Sequence, residues 1–105
     1  MKKPYPISCD YDGVIHTMKD GYDGPIPQGK PIKDAKWALT QLKTKGFKIV
    51  VFTAREELEN VAKWLVENDI PFDEVTNTKK PSLAYIDDRA IRFENNWESI
   101  VKYFI

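Results

Sequence analysis

The run Phe47-Lys48-Ile49-Val50-Val51-Phe52 constrains this chain more than any other stretch. It is almost continuously apolar and rich in β-branched residues, so as a strand it would be apolar on both faces. Such a strand belongs in the interior of a covered parallel sheet, whose neighbouring strands are joined by long crossovers. The flanks supply them. Upstream, Ala35, Ala38, Leu39 and Leu42 recur at three- and four-residue spacing, and Gly46 follows Lys43 and Lys45 as a helix stop. Downstream, Leu58, Val61, Ala62, Leu65 and Val66 form a second stripe. Glu56, Glu57 and Glu59 suit the positive end of that helix, and Asn68, Asp69 and Pro71 end it.

Strand patterns also cover Tyr5 to Asp10, Phe72 to Thr76 and Leu83 to Ile86, with a short edge strand expected over Ala90 to Phe93. Trp97, Ile100, Val101 and Phe104 have the spacing of a closing helix. Between residues 13 and 31, Gly21, Gly24 and Gly29 with Pro25, Pro27 and Pro31 punctuate a loop or small hairpin. Alternating strands and helices predict an α/β fold. The expectation is a Rossmann-like three-layer sandwich: a mainly parallel sheet of about five strands, helices on both faces, and a β flap after strand 1. With 105 residues and no internal linker, residues 1–105 form a single domain.

Sixteen basic and sixteen acidic residues give zero formal net charge, so no overall field draws the chain to nucleic acid or an anionic membrane. The single cysteine, Cys9, has no internal disulfide partner, which fits a reducing cytoplasm. Lys2 and Lys3 lead into Pro4 and Tyr5 and not into an apolar run, so neither a secretory leader nor a membrane span is expected.

The first strand ends in Asp10-Tyr11-Asp12-Gly13. Strand alternation would send Asp10 and Asp12 the same way, and Gly13 permits a sharp turn. Two such carboxylates repel unless a cation or a proton intervenes. Two other strands also end in polar signals, Thr53 and then Asp87-Asp88, and parallel order would bring all of these to one sheet edge. Clustered carboxylates without histidine or thiolate partners favour Mg²⁺. A hard cation with a hydroxyl and a lysine complements a phosphoryl group. Cys9 alternates away from Asp10 and His16 stands alone, which leaves a carboxylate as the candidate nucleophile.

Asp10-Tyr11-Asp12-Gly13-Val14, Val51-Phe52-Thr53-Ala54-Arg55, Lys80-Pro81 and Ile86-Asp87-Asp88, in that order, resemble the four motifs of the haloacid dehalogenase-like (HAD) phosphohydrolases. The resemblance implies an aspartyl-phosphate on Asp10. Asp12 would be the general acid and then the base, with its backbone carbonyl on the metal. Thr53 and Lys80 would hold the phosphoryl group, with Lys79 as the alternative lysine. Asp10, Asp12, Asp87 and Asp88 would make the Mg²⁺ site, Asp88 as direct ligand. Arg55 and Arg89 stand beside motif positions, and each either grips a second anionic group or is a solvated surface arginine.

The loops after strands 1 and 3, about 18 and about six residues long, are too short for the cap domains common in that family. A capless, open site is therefore expected, acting on a small phosphorylated molecule or a phosphorylated macromolecular end, with nucleic acid as a substrate at most. A homo-oligomer in which a neighbouring subunit serves as lid stays open. Tyr11, Tyr22 and His16 would either contact such a substrate or pack the flap, and Trp37, Trp64 and Trp97 are expected to pack. Two rivals remain. A receiver-like phosphoacceptor module would carry its phosphorylated aspartate at the end of the third strand, where Phe72 to Thr76 has none. An inactive HAD-fold binding protein would be expected to have lost motif residues.

Overall fold

The computed structural model describes residues 5–18 and 21–105. Four strands, β1 (Ile7–Asp10), β2 (Ile49–Phe52), β3 (Glu74–Thr76) and β4 (Ala84–Ile86), form one parallel sheet in the order β3-β2-β1-β4. The helices are α1 (Ala35–Thr44), α2 (Leu58–Glu67) and α3 (Trp97–Phe104). The apolar run at 49–52 is interior as its composition demands, with Ile49, Val50 and Val51 all buried. Both expected helix stops are left-handed turns. Gly46 has φ 93° and lets Phe47 N–H reach the Leu42 carbonyl at 3.1 Å. Asp69 has φ 55° and lets Ile70 N–H reach that of Leu65 at 2.9 Å.

Ile7 and Cys9 pair with Ile49 and Val51, so these four side chains share one face of the sheet. They form the core with Leu39 of α1 and with Val61, Trp64 and Leu65 of α2. Both helices therefore cover the same face. The steps β1 to β2 and β2 to β3 move the same way along the sheet, and right-handed crossovers moving the same way fall on the same side.

Three expectations are corrected. Helices do not cover both faces. The β3–β4 crossover, residues 77–83, contains no helix, and α3 touches no other helix or strand among the described residues. On the face opposite α1 and α2 this connector meets β1, with Ser82 Oγ 2.6 Å from buried Ser8 Oγ, and Leu83 N–H bonds the Pro6 carbonyl. Second, four strands and not five form among the described residues. Asp87 Oδ1 accepts the Arg89 N–H at 2.7 Å, a side-chain turn that leads residues 90–93 away from β4. Third, Trp37 and Trp97 are exposed, and Val66 lies on the outer side of α2, whereas Trp64 is buried. No helix among the described residues is long and apolar enough to cross a membrane.

The flap is a pair of isolated bridges and not a hairpin of full strands. Thr17 N–H bonds the Lys30 carbonyl and Ile32 N–H that of Ile15, which joins its two arms. Residues 19 and 20 lie outside the described residues.

Candidate active site

Asp10 closes β1, and Asp87 and Asp88 directly follow the neighbouring strand β4. One carboxylate oxygen from each of the three lies within 4.8 Å of the others. Parallel pairing of β1 with β4 makes this approach unavoidable, since Cys9 is level with Ile86. Gly13 completes it. Its φ is 88°, and a β-carbon there would lie 2.5 Å from Asp88 Oδ2, so the carboxylate fits against bare backbone. Burial, then the charge of Asp87, pushes the Asp10 carboxyl up to about 6, opposed by the hydrogen bond from the Tyr11 amide. Three hard oxygen donors with no thiolate or imidazole among them fit Mg²⁺.

Asp12 does not join this cluster through its side chain. Arg55 donates from Nε to Asp12 Oδ2 at 2.9 Å and from Nη2 to Oδ1 at 3.0 Å, and His16 Nδ1 lies 2.9 Å from Oδ1. The metal contact that the resemblance gives Asp12 runs through its backbone carbonyl, which these side-chain bonds do not involve, and Asp12 lines the same pocket as Asp10 and Asp88. The turn after β1 explains the geometry. Ile15 and His16 both donate N–H to the Tyr11 carbonyl, and Gly13 N–H bonds the His16 carbonyl, which folds His16 back beside Asp12.

Arg55 is not a solvated surface residue: it lines the pocket with most of its guanidinium engaged within the protein. It is 5% exposed, and beyond Asp12 it donates to Asp23 Oδ1 at 2.8 Å and to the Gly24 carbonyl at 2.8 Å. Four of its five N–H groups are thus used within the protein. The hydrogen bond to Asp12 holds its pKa above the usual arginine value despite burial. The rings of Tyr11 and Tyr22 flank the guanidinium at 5.7 and 5.0 Å. Asp23 is fixed in turn by the Gln28 N–H at 2.7 Å, and Tyr22 by a hydrogen bond to Glu57 at 3.2 Å.

Tyr11 and His16 are fully buried, which decides for packing over substrate contact. Their rings stack at 5.0 Å, and Trp64 meets both edge-on at 5.4 and 5.0 Å. The Tyr11 hydroxyl has no hydrogen-bond partner among the described residues, and burial drives its pKa well up. Burial pushes the Cys9 thiol up to about 12, with the charge of Asp10 adding to it, so this sulfur stays protonated and un-nucleophilic.

Thr53 stands at the end of β2, but its side chain is buried, and Oγ1 accepts the Arg55 N–H at 3.1 Å. That bond shapes the turn carrying Arg55. Neither lysine reaches the acids. Lys80 Nζ is 3.0 Å from Glu74 Oε2 at the opposite end of β3, and Lys79 Nζ sits 4.9 Å from the centre of the Tyr85 ring. The short connector holds Lys80 at that far rim, as its position before β4 implies. In this structure Lys80 is paired with Glu74 and not brought to Asp10. The pocket over the acids, about 560 Å³, is lined by Asp10, Asp12, Gly13, Ala54, Arg55 and Asp88, with Met18, Tyr22, Glu56, Glu57 and Arg89 at its margin. Among these, Arg89 is the cation not committed to Asp12.

The sequence reading missed the link between His16, Arg55 and Asp12. The signal was present for one of them: His16 lies four residues after Asp12, across a glycine turn.

No protein-family profile matches the sequence. No curated protein matches it. One solved chain, from a structure described as "Structure of Pnkp1/Rnl/Hen1 complex", matches with a TM-score of 0.60 and 20% identity over 96% of this chain. The match spans 34% of that chain, about a third of its length, and it establishes a shared fold.

Proposed function

We propose that this chain is a Mg²⁺-dependent phosphomonoester hydrolase of the HAD-like kind, working through an aspartyl-phosphate on Asp10. The observation that carries the reading is the convergence of Asp10, Asp87 and Asp88 within 4.8 Å, with Asp12 lining the same pocket. Mg²⁺ held by those three carboxylates would offset charge on the phosphoryl oxygens and favour ionised Asp10. A carboxylate oxygen of Asp10 attacks phosphorus, and the bond to the leaving oxygen breaks as that oxygen takes a proton from Asp12. Water then attacks phosphorus and gives its proton back to Asp12, and the Asp10–phosphorus linkage breaks to release inorganic phosphate.

Thr53 and Ala54 form the turn beside the pocket, and Arg89 is the cation best placed at its margin for a phosphate oxygen. Lys80 takes that part only by leaving Glu74. The open pocket suits a phosphorylated small molecule or a phosphorylated macromolecular end. Purified protein should hydrolyse p-nitrophenyl phosphate with Mg²⁺ but not with chelator. Asp10→Asn should abolish turnover while the far-ultraviolet circular dichroism stays unchanged. Turnover that persists in Asp10→Asn would refute the role of this carboxylate.

A further inference from the structure

His16 has a more specific setting than core packing requires. Its ring is fully buried between Tyr11 and Trp64, and both nitrogens are engaged. Gly29 N–H lies 2.9 Å from Nε2, so Nε2 accepts and the proton of the neutral ring sits on Nδ1. Nδ1–H therefore donates to Asp12 Oδ1 at 2.9 Å. Asp23 Oδ2 stands 3.5 Å from Nε2, beyond the closer Gly29 amide. Gly29 is itself pinned, because its carbonyl accepts Trp64 Nε1–H at 3.0 Å from α2. It must also be glycine. A β-carbon there would lie 2.7 Å from His16 Nε2 and 2.5 Å from Thr17 Oγ1. A line of hydrogen bonds thus runs from α2 through the second flap arm and His16 to the carboxylate of Asp12.

An ionised carboxylate offers about four lone-pair positions. On Asp12, Oδ1 uses both of its own for His16 and Arg55 Nη2, and Oδ2 uses one for Arg55 Nε. One position on Oδ2 is left for a proton. We infer that His16 is a positioning residue that, with the Gly29 arm of the flap, fixes the Asp12 carboxylate so that Oδ2 alone exchanges the proton with the leaving oxygen. This rests on the hydrolase reading above. An aromatic ring of similar size would satisfy the packing but not the two bonds. The His16 imidazole matches a donor requirement on one side and an acceptor requirement on the other.

The test separates packing from positioning by the leaving group. An aryl phosphate departs with little help from an acid, whereas an alkyl phosphate depends on it, and a general acid typically contributes about 10²–10⁴-fold. In His16→Phe the ring stack is kept and both bonds are lost. Its kcat should fall roughly tenfold or more on β-glycerol phosphate but less than about threefold on p-nitrophenyl phosphate, with KM little changed. His16→Asn keeps an amide donor near the Nδ1 position and should recover most of the alkyl-ester rate. Gly29→Ala, which displaces the ring at Nε2, should show the same selective loss if His16→Phe does not fold. Equal slowing of both esters in these variants, or His16→Asn no better than His16→Phe, would overturn the inference. Wild-type protein inactive on both esters would instead overturn the hydrolase reading itself.

Discussion

Arg55 grips Asp12 through two nearly equal bonds, Nε to Oδ2 at 2.9 Å and Nη2 to Oδ1 at 3.0 Å, from a side chain that is almost wholly buried. The fork also ties the flap to the sheet through Asp23 and Gly24. Truncating one member of a buried charge pair strands the other. Arg55→Ala should therefore lower stability by about 3 kcal/mol, and Arg55→Lys should recover only part, because a point charge cannot make the fork. Urea denaturation of the three proteins measures this, and an unchanged midpoint for Arg55→Ala would contradict the buried fork.

The buried Tyr11 hydroxyl has no partner among the described residues, and leaving such a group unmade costs about 1–3 kcal/mol. Tyr11→Phe keeps the stack on His16 and the edge contact with Trp64. The variant should be as stable as the parent or more so, by up to about 1 kcal/mol. A large drop in its thermal midpoint would show that the hydroxyl has a partner.

Gly13 combines a left-handed backbone with the close approach of Asp88. Gly13→Ala should cost about 1–2 kcal/mol in strain and push the Asp88 carboxylate outward. Calorimetric titration would then find Mg²⁺ binding weakened by tenfold or more, matching Asp88→Asn. For the parent, saturating Mg²⁺ should raise the melting temperature, since a ligand at 100 times its Kd adds about 2.7 kcal/mol.

Asp73 supplies a pH signature away from the pocket. Burial alone would raise its pKa, but Lys43 Nζ at 2.6 and 2.7 Å and the Ile49 N–H at 2.7 Å hold it below the usual carboxylate value. A lowered folded-state pKa means stability that is present above the ordinary value of about 4 and lost as acid protonates the folded carboxylate. Asp73→Asn should therefore be less stable than the parent at pH 7, and the gap should narrow below about pH 4. A gap that stays constant from pH 7 to pH 3 would argue against the ion pair.

Much of this architecture was legible because it rests on local periodicity. The run at 49–52, the helix stops at Gly46 and Asp69 and the acids after β1 and β4 all follow from residue type and spacing. What the sequence concealed is set by three-dimensional competition for partners. Arg55 read as either a grip for a second anionic group or a solvated arginine, because nothing in its neighbourhood of the chain marks Asp12 or Asp23 as its mates. Lys80 matched a motif position, yet a seven-residue crossover keeps its amine beside Glu74. Residues 90–93 have strand composition, but the Asp87 turn directs them off the sheet.

The order β3-β2-β1-β4 places two of the three clustered acids after the rim strand of the sheet. That strand is three residues long and exposed throughout, and among the described residues its ladder to β1 is its one attachment within the sheet. A cation bridging Asp10 to Asp87 and Asp88 would therefore act as a rivet at the unsupported margin. Amide protons of residues 84–86 should exchange rapidly without it and slow markedly once it is bound, while those of the central β2 stay unchanged.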